Sequence, residues 1–182
     1  FFDIVLSGVA ILILSPLLIP IMIALKCTGE HYIFYGQTRI GRNNGYFKIW
    51  KFATMLLNSP NMTGGLHTTH GDPRILPLGG FLRKTKINEL PQLFNVILGD
   101  MSLVGPRPLT VGEGREIPRF VDRRMLVRPG MTGLWQVSGR SNLSEADRVR
   151  LDLFYVANWS MVQDLLIVAK TVRAVLASDG AY

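Results

Sequence analysis

The sequence predicts an α+β fold, mostly helical, in which an apolar helix leads a basic body to a membrane. Three observations predict it. Ile4 to Leu25 contain no charged side chain; a β-hairpin pattern follows, centred on Asn43-Asn44-Gly45; and two amphipathic helical patterns lie further on, one beginning at Asn88-Glu89 and one covering Ser160 to Leu176. The 182 residues divide into a membrane helix, residues 1–26, and one body, residues 27–182, large enough to bury its own core.

About 22 apolar residues make a helix of roughly 33 Å, enough to cross a hydrocarbon layer of about 30 Å. Its interior argues for more than simple crossing. Ser15-Pro16 lies near the middle and Pro20 follows one turn later. Proline lacks an N–H and pushes against the preceding turn, so a break or kink is expected at Ser15 and Pro16, with the Ser15 hydroxyl as a partner for a freed carbonyl. A proline-kinked span and a dip that leaves on the side it entered are both open on these grounds. No basic region precedes the run and no small-residue cleavage site ends it, so a cleaved signal is not expected. Lys26 before Cys27 likewise argues against a lipoprotein site. The cations that follow (Lys26, Arg39, Arg42, Lys48, Lys51) place the body on the cytoplasmic side.

Beyond Asp3 the chain holds all 20 basic residues and 12 of the 13 acidic ones, a net charge of about +8. Such a body suits an anionic partner: lipid headgroups, nucleic acid or a phosphorylated substrate. Cys27 is the single cysteine, so no intrachain disulfide forms and no cysteine metal cluster exists.

The hairpin is read from aromatic and β-branched stretches at Tyr32–Tyr35 and Tyr46–Phe52. Residues Asn58 to Pro77 read as a long loop. In the next helix Leu90, Leu93, Phe94 and Ile97 form one stripe, with Asn88 as N-cap, Pro91 in the first turn and Gly99 as the stop. Gly105-Pro106-Arg107-Pro108 and Arg128-Pro129-Gly130 are turns. The tail helix carries Met161, Leu165, Val168, Val172 and Val175 along one face.

A helix start at Asn88-Glu89 offers free N–H groups and partial positive charge to a phosphate. Arg83 and Lys84 stand just before it. Arg107 is fixed between two prolines, and Arg140 lies in a further turn. Together these arginines can clamp a diphosphate, with Lys51 nearby in sequence pattern and Glu89 as the carboxylate for a Mg²⁺ ion. Taken singly, Asn88 can be only a cap, Glu89 only a dipole partner and the arginines only solvated charges. His67 and His70 have no third histidine nearby and read as surface residues; Asp72-Pro73-Arg74 reads as a turn with a local ion pair. No Gly-rich dinucleotide fingerprint or P-loop is present. A nucleic-acid partner is disfavoured, because neither an aromatic platform nor a recognition helix is evident.

The string Gly79 to Pro108, GGFLRKTKINELPQLFNVILGDMSLVGPRP, resembles the core of the bacterial monotopic phosphoglycosyl transferases, the bacterial sugar transferase family. The likeness extends upstream to Gln37-Thr-Arg-Ile-Gly41, Phe47–Phe52 and Gly71–Arg74. Downstream it takes in Arg128–Val137, Gly139-Arg140 and Tyr155–Ser160 leading to Asp164. It covers nearly the whole chain in many ordered motifs.

The resemblance implies a monotopic membrane protein whose N-terminal helix is re-entrant, broken at Ser15-Pro16, with a small β-hairpin and surface amphipathic helices. It implies residence in the bacterial inner membrane at its cytoplasmic face, contact with membrane lipids, a Mg²⁺ cofactor, and transfer of a phosphosugar from a UDP-sugar to undecaprenyl phosphate with release of UMP. In the family an Asp-Glu pair does the chemistry by covalent catalysis. Here that pair reads Asn88-Glu89, and a carboxamide cannot make the carboxylate attack. Ala53 also stands where the family usually has a basic residue. Three readings follow: an active enzyme that uses Glu89 or direct attack by the lipid phosphate; an engineered or trapping variant; and a protein that binds substrates or partners without turnover. The first is preferred because the other motif residues stand at their expected places. The sequence leaves a homo-oligomer open.

Overall fold

In the computed structural model, which describes residues 1–28, 30–59, 72–116, 123–139 and 142–176, the apolar leader forms helix α1, Phe2–Cys27. The rupture expected at Ser15-Pro16 is absent, and the helix runs unbroken through Pro16 and Pro20. The reason is local. Pro16 cannot donate to the Leu12 carbonyl, and the Ser15 hydroxyl donates to that oxygen instead, at 2.8 Å.

Both ends of α1 are fastened to the body. Near its start, the Ser102 hydroxyl donates to Asp3 Oδ2 at 2.6 Å, and Ser7 is fully buried. Towards its end, Leu18, Ile21 and Leu25 pack with Phe52 and Leu82 in one core cluster. Between and around these positions Ile4, Leu12, Ile13, Ile19 and Ile23 remain exposed.

Strand β1, Phe34–Ile40, pairs antiparallel with β2, Tyr46–Phe52, from Phe34 opposite Phe52 to Ile40 opposite Tyr46. The turn forms where expected. Asn43 and Asn44 take φ of 54° and 60°, a conformation that asparagine tolerates better than most residues. The edge of β2 is finished by a side chain: Asn95, fully buried, accepts from Trp50 N at 3.0 Å and donates to Lys48 O at 2.7 Å. One amide thus replaces a missing neighbouring strand.

The two ends of the expected loop meet, since Met55 bridges Ile75 and Leu76 N donates to Thr54 O; most of that loop, with His67 and His70, lies outside the described residues. Helix α2, Pro77–Lys84, presses Gly79 so closely on Thr54 that a Cβ there would sit 2.3 Å from the Thr54 oxygen.

The helix expected to begin at Asn88 begins instead at Gln92. Residues Ile87–Glu89 form a 3₁₀ turn, and α3 is Gln92–Leu98. Pro91 explains the difference: it has no N–H for the Ile87 carbonyl, which takes Leu90 N in a tighter i, i+3 bond. Asn88 is therefore buried inside the turn and caps nothing. Gly99 ends α3 with φ 87°, as expected.

Strands β3, Ser102–Val104, and β4, Leu109–Thr110, flank the Gly105–Pro108 bend. Strand β4 joins the hairpin, giving the order β2-β1-β4, while β3 pairs in parallel with β5, Gly130–Thr132. A Cβ on Gly130 would lie 2.1 Å from the Gly105 nitrogen, so only glycine admits this crossing. Helices α4, Val111–Glu116, α5, Glu145–Ala157, and α6, Met161–Leu176, complete the described chain. Helix α6 is amphipathic in an informative sense. Ile167 is buried, whereas the predicted stripe of Met161, Leu165, Val168 and Val172 faces outward.

Replacing Asn95 by Ala strips two backbone groups of β2 of their partners in a buried setting. Loss of stability of about 2–4 kcal/mol is expected, read as a lowered denaturation midpoint in detergent; a change under about 0.5 kcal/mol would show that water satisfies the edge.

Candidate active site

The fold draws three remote segments together. Lys51 comes from the end of β2, Glu89 from the 3₁₀ turn before α3, and Arg107 from the bend after β3. They line one cleft with Arg39 of β1, Gln92, Pro108 and Gln136. Strand alternation turns Ile49 and Lys51 to the same side, and both line the cleft.

Lys51 Nζ donates to Glu89 Oε1 at 2.9 Å, in a partly buried pair. Burial opposes ionisation of the Glu89 carboxyl, but Lys51, Arg107 and Lys86 outweigh it and hold the group at about 2, against an ordinary 4.5. Burial lowers the Lys51 ammonium, with Glu89 pulling the other way. Arg39 is 8% exposed. Its Nη1 donates to Pro108 O at 3.2 Å and its Nη2 to Gln37 Oε1 at 2.7 Å. Three cations and one carboxylate make the lining electropositive, a setting for phosphate.

A second, apolar groove adjoins this cleft. It is lined by Ile11, Ser15, Leu18 and Met22 of α1 together with Phe34, Phe52, Pro91 and Phe94. Phe52 follows Lys51 directly, and alternation turns the two to opposite faces of the hairpin, so the cleft and the groove lie on the two sides of β2.

The sequence pattern of the bacterial sugar transferases matches residues 1–178. The chain belongs to the bacterial sugar transferase family. The chain is 43% identical, over its whole length, to the undecaprenyl-phosphate galactose phosphotransferase of Salmonella typhimurium, covering 41% of that protein. It is 42% identical to the exopolysaccharide production protein ExoY of Rhizobium meliloti, covering 86% of it. It is 35% identical, over 99% of its length, to the UDP-glucose:undecaprenyl-phosphate glucose-1-phosphate transferase of Klebsiella pneumoniae, covering 40%. The chain thus spans about two fifths of the longer relatives and most of the shorter one.

Of the site residues expected in this sugar transferase, Glu89, Lys51 and Arg107 converge. Arg83 does not line the cleft; it lies on α2 within electrostatic reach of Asp72, Glu89 and Arg74. Asp72 and Arg74 form the expected ion pair, buried, at 2.6 Å. Arg140 lies outside the described residues. With α3 starting at Gln92, Asn88 and Glu89 lie in the 3₁₀ turn before it and not at a helix N-terminus.

The sequence counts Arg39 among the cations that orient the body and within the motif Gln37–Gly41; Gln37 and Arg39, two apart on a strand, also share a face. Arg124 and Asp152 are marked by no sequence pattern. They form a buried pair at 3.3 Å, burial pushes the Asp152 carboxyl upward against Arg124, and Arg107 lies within electrostatic range.

No group of three His, Cys, Asp or Glu side chains suited to a metal occurs among the described residues. Mg²⁺ rarely asks for one, since one or two carboxylates plus phosphate oxygens and water suffice. Glu89 meets that requirement, and Asn88 beside it buries a carbonyl oxygen, Oδ1, with no hydrogen-bond partner. The donor set fits the ion.

The depressed Glu89 group stabilises the fold fully above its unfolded value of 4.5 and loses that contribution as pH falls towards about 2. Relative to Glu89→Gln, the wild type should therefore hold its thermal midpoint between pH 8 and 5 and lose ground below pH 4. A midpoint difference that does not move across that range would mean Lys51 and its neighbours do not hold the carboxylate.

Proposed function

We propose that this chain transfers a phosphosugar from a UDP-sugar to undecaprenyl phosphate, releasing UMP, at the cytoplasmic face of the bacterial inner membrane, as an early step in polysaccharide assembly. The observation that carries this reading is the electropositive cleft: Arg39, Lys51 and Arg107 around Glu89 suit a diphosphate, and the apolar groove of α1 lies against the other face of the same hairpin, which keeps the cleft near lipid. The relatives' names supply the substrate classes.

The tethering of α1 supports a helix that lies in the near leaflet with both ends on one side. A crossing helix of about 39 Å would carry either the Asp3 end or the Leu25 end, and the body bound to it, through the lipid. A body of about +8 net charge does not enter hydrocarbon. The exposed apolar faces of α1 and α6 fit the same interface.

When bound, Mg²⁺ supplies charge neutralisation to the phosphate oxygens, with Glu89 holding it. Arg107 and Lys51 face the same oxygens and stabilise charge that develops as the phosphoryl group moves. The Gly105–Pro108 bend fixes Arg107 before substrate arrives, so little ordering is left for the reaction itself. Asn88 contributes neither charge nor an available lone pair on nitrogen. Glu89, the one carboxylate in the cleft lining among the described residues, is engaged by Lys51 and would hold the ion. The lipid phosphate oxygen accordingly attacks the sugar-bearing phosphorus directly: that P–O bond forms, the bond to UMP breaks, and UMP leaves with the bridging oxygen and its electron pair.

In nanodiscs, UDP-sugar and Mg²⁺ alone should release no UMP above background, and adding undecaprenyl phosphate should yield UMP and lipid-linked sugar phosphate one for one. A burst of UMP without acceptor, with a phosphosugar adduct on Glu89 by mass spectrometry, would contradict direct attack. UMP and product that appear only in Asn88→Asp would assign the natural chain to substrate binding.

A further inference from the structure

Arg39 is the most unusual charge in the described chain. Its guanidinium is more than nine-tenths buried in the middle of a sheet, where an ion normally needs a close counter-charge. None is in hydrogen-bond contact. Its nearest carboxylate, Glu113 Oε2, lies 3.8 Å away on a half-exposed side chain. Its hydrogen bonds go to neutral oxygens, Pro108 O and Gln37 Oε1, and Nε is buried with no partner. A second guanidinium, Arg107, lines the same cleft and opposes the charge on Arg39. A residue serving only to staple β1 to the bend would not need a cation beside another cation with a donor left over. An anion completes this arrangement.

The hairpin register says which anion. Phe34 and Phe52, opposite one another, line the apolar groove of α1. Lys51, opposite Tyr35, is at that end. Arg39 stands opposite Phe47, four residues further from the groove, or roughly 13 Å of strand. Alternation also sets Arg39 on the hairpin face opposite Phe34 and Phe52, so Arg39 is removed from the groove both along the strand and across the sheet, and its end of the cleft suits the soluble partner. We propose that Arg39 receives the phosphate of the departing nucleotide through Nε, while its Nη1 holds the Pro108 carbonyl and so orients the bend that carries Arg107. This rests on the reading of the cleft as a UDP-sugar site, and it adds a nucleotide end distinct from the lipid end.

Binding separates the proposal from turnover. Calorimetric titration of the purified protein with UMP, and separately with undecaprenyl phosphate, is compared between wild type and Arg39→Lys, each with a recorded melting midpoint. Lysine keeps the charge but loses the Nε donor and the planar fork. The UMP dissociation constant should rise about tenfold or more, since an N–H bond to an ionised phosphate is among the stronger hydrogen bonds, and lipid phosphate binding should stay within about twofold. A folded Arg39→Lys that binds UMP like the wild type, or that loses both ligands equally, overturns the role of Arg39 and leaves the cleft assignment standing. A wild type that binds no UMP sinks both. Should the variant not fold, a structure of the wild type with UMP decides. Nε within about 3 Å of a phosphate oxygen supports the proposal, and Nε still unpartnered refutes it.

Discussion

The structure depends on α1 being fastened at both ends. Asp3 is held by Ser102 of β3 and Leu25 is sealed against Leu82 and Phe52, so the helix and the sheet it touches move as one unit. This makes the site possible. Phe34 and Phe52, ring-stacked at 5.6 Å, sit where the hairpin meets α1, and Lys51 follows one residue on. Loosening the helix would separate the apolar groove from the cations that give it meaning.

The cleft is a problem in buried charge, solved by sharing. Lys51 and Glu89 neutralise each other across 2.9 Å, leaving Arg39 and Arg107 as the excess. Desolvation of such groups costs several kcal/mol per ion unless it is offset, and the scaffold accepts that cost through rigid geometry: a strand finished by Asn95, a bend closed by Gly105 against Gly130, and a turn tightened by Pro91. Electrostatic stabilisation works best where the dipoles and charges are already in place. The same rigidity holds Asn88 in place without help from its side chain. The residue is buried in a 3₁₀ turn whose hydrogen bonds are all made by the backbone, so exchanging carboxylate for carboxamide alters chemistry and leaves the turn intact.

Much of this was legible in the residues. The hairpin and its Asn-Asn-Gly turn, the Gly99 stop and the tail helix follow from local chemistry, as does the convergence of Glu89 with Arg107 once the family motifs are set side by side. What local chemistry could not convey was competition between neighbours. Pro91 was scored as tolerable in a first turn, whereas its missing N–H delayed the helix to Gln92. Pro16 predicts a break or kink with the Ser15 hydroxyl as the local partner; that hydroxyl does take the Leu12 carbonyl, and the helix continues. The tail is expected as a surface amphipathic helix, and Met161, Leu165, Val168 and Val172 do face outward, although periodicity marks a face without saying what covers it. Arg39 and the Asn95 edge cap required long-range pairing that no window of sequence contains.

The claim that α1 returns its two ends to one side of the membrane is tested most directly by thiol labelling in sealed vesicles of known orientation. Cys27 is naturally exposed at one end, and Phe1→Cys in a Cys27→Ser background marks the other. Both thiols should react with an impermeant maleimide from the same, cytoplasmic, side. Reaction of the two positions from opposite sides would establish a spanning helix and contradict the account.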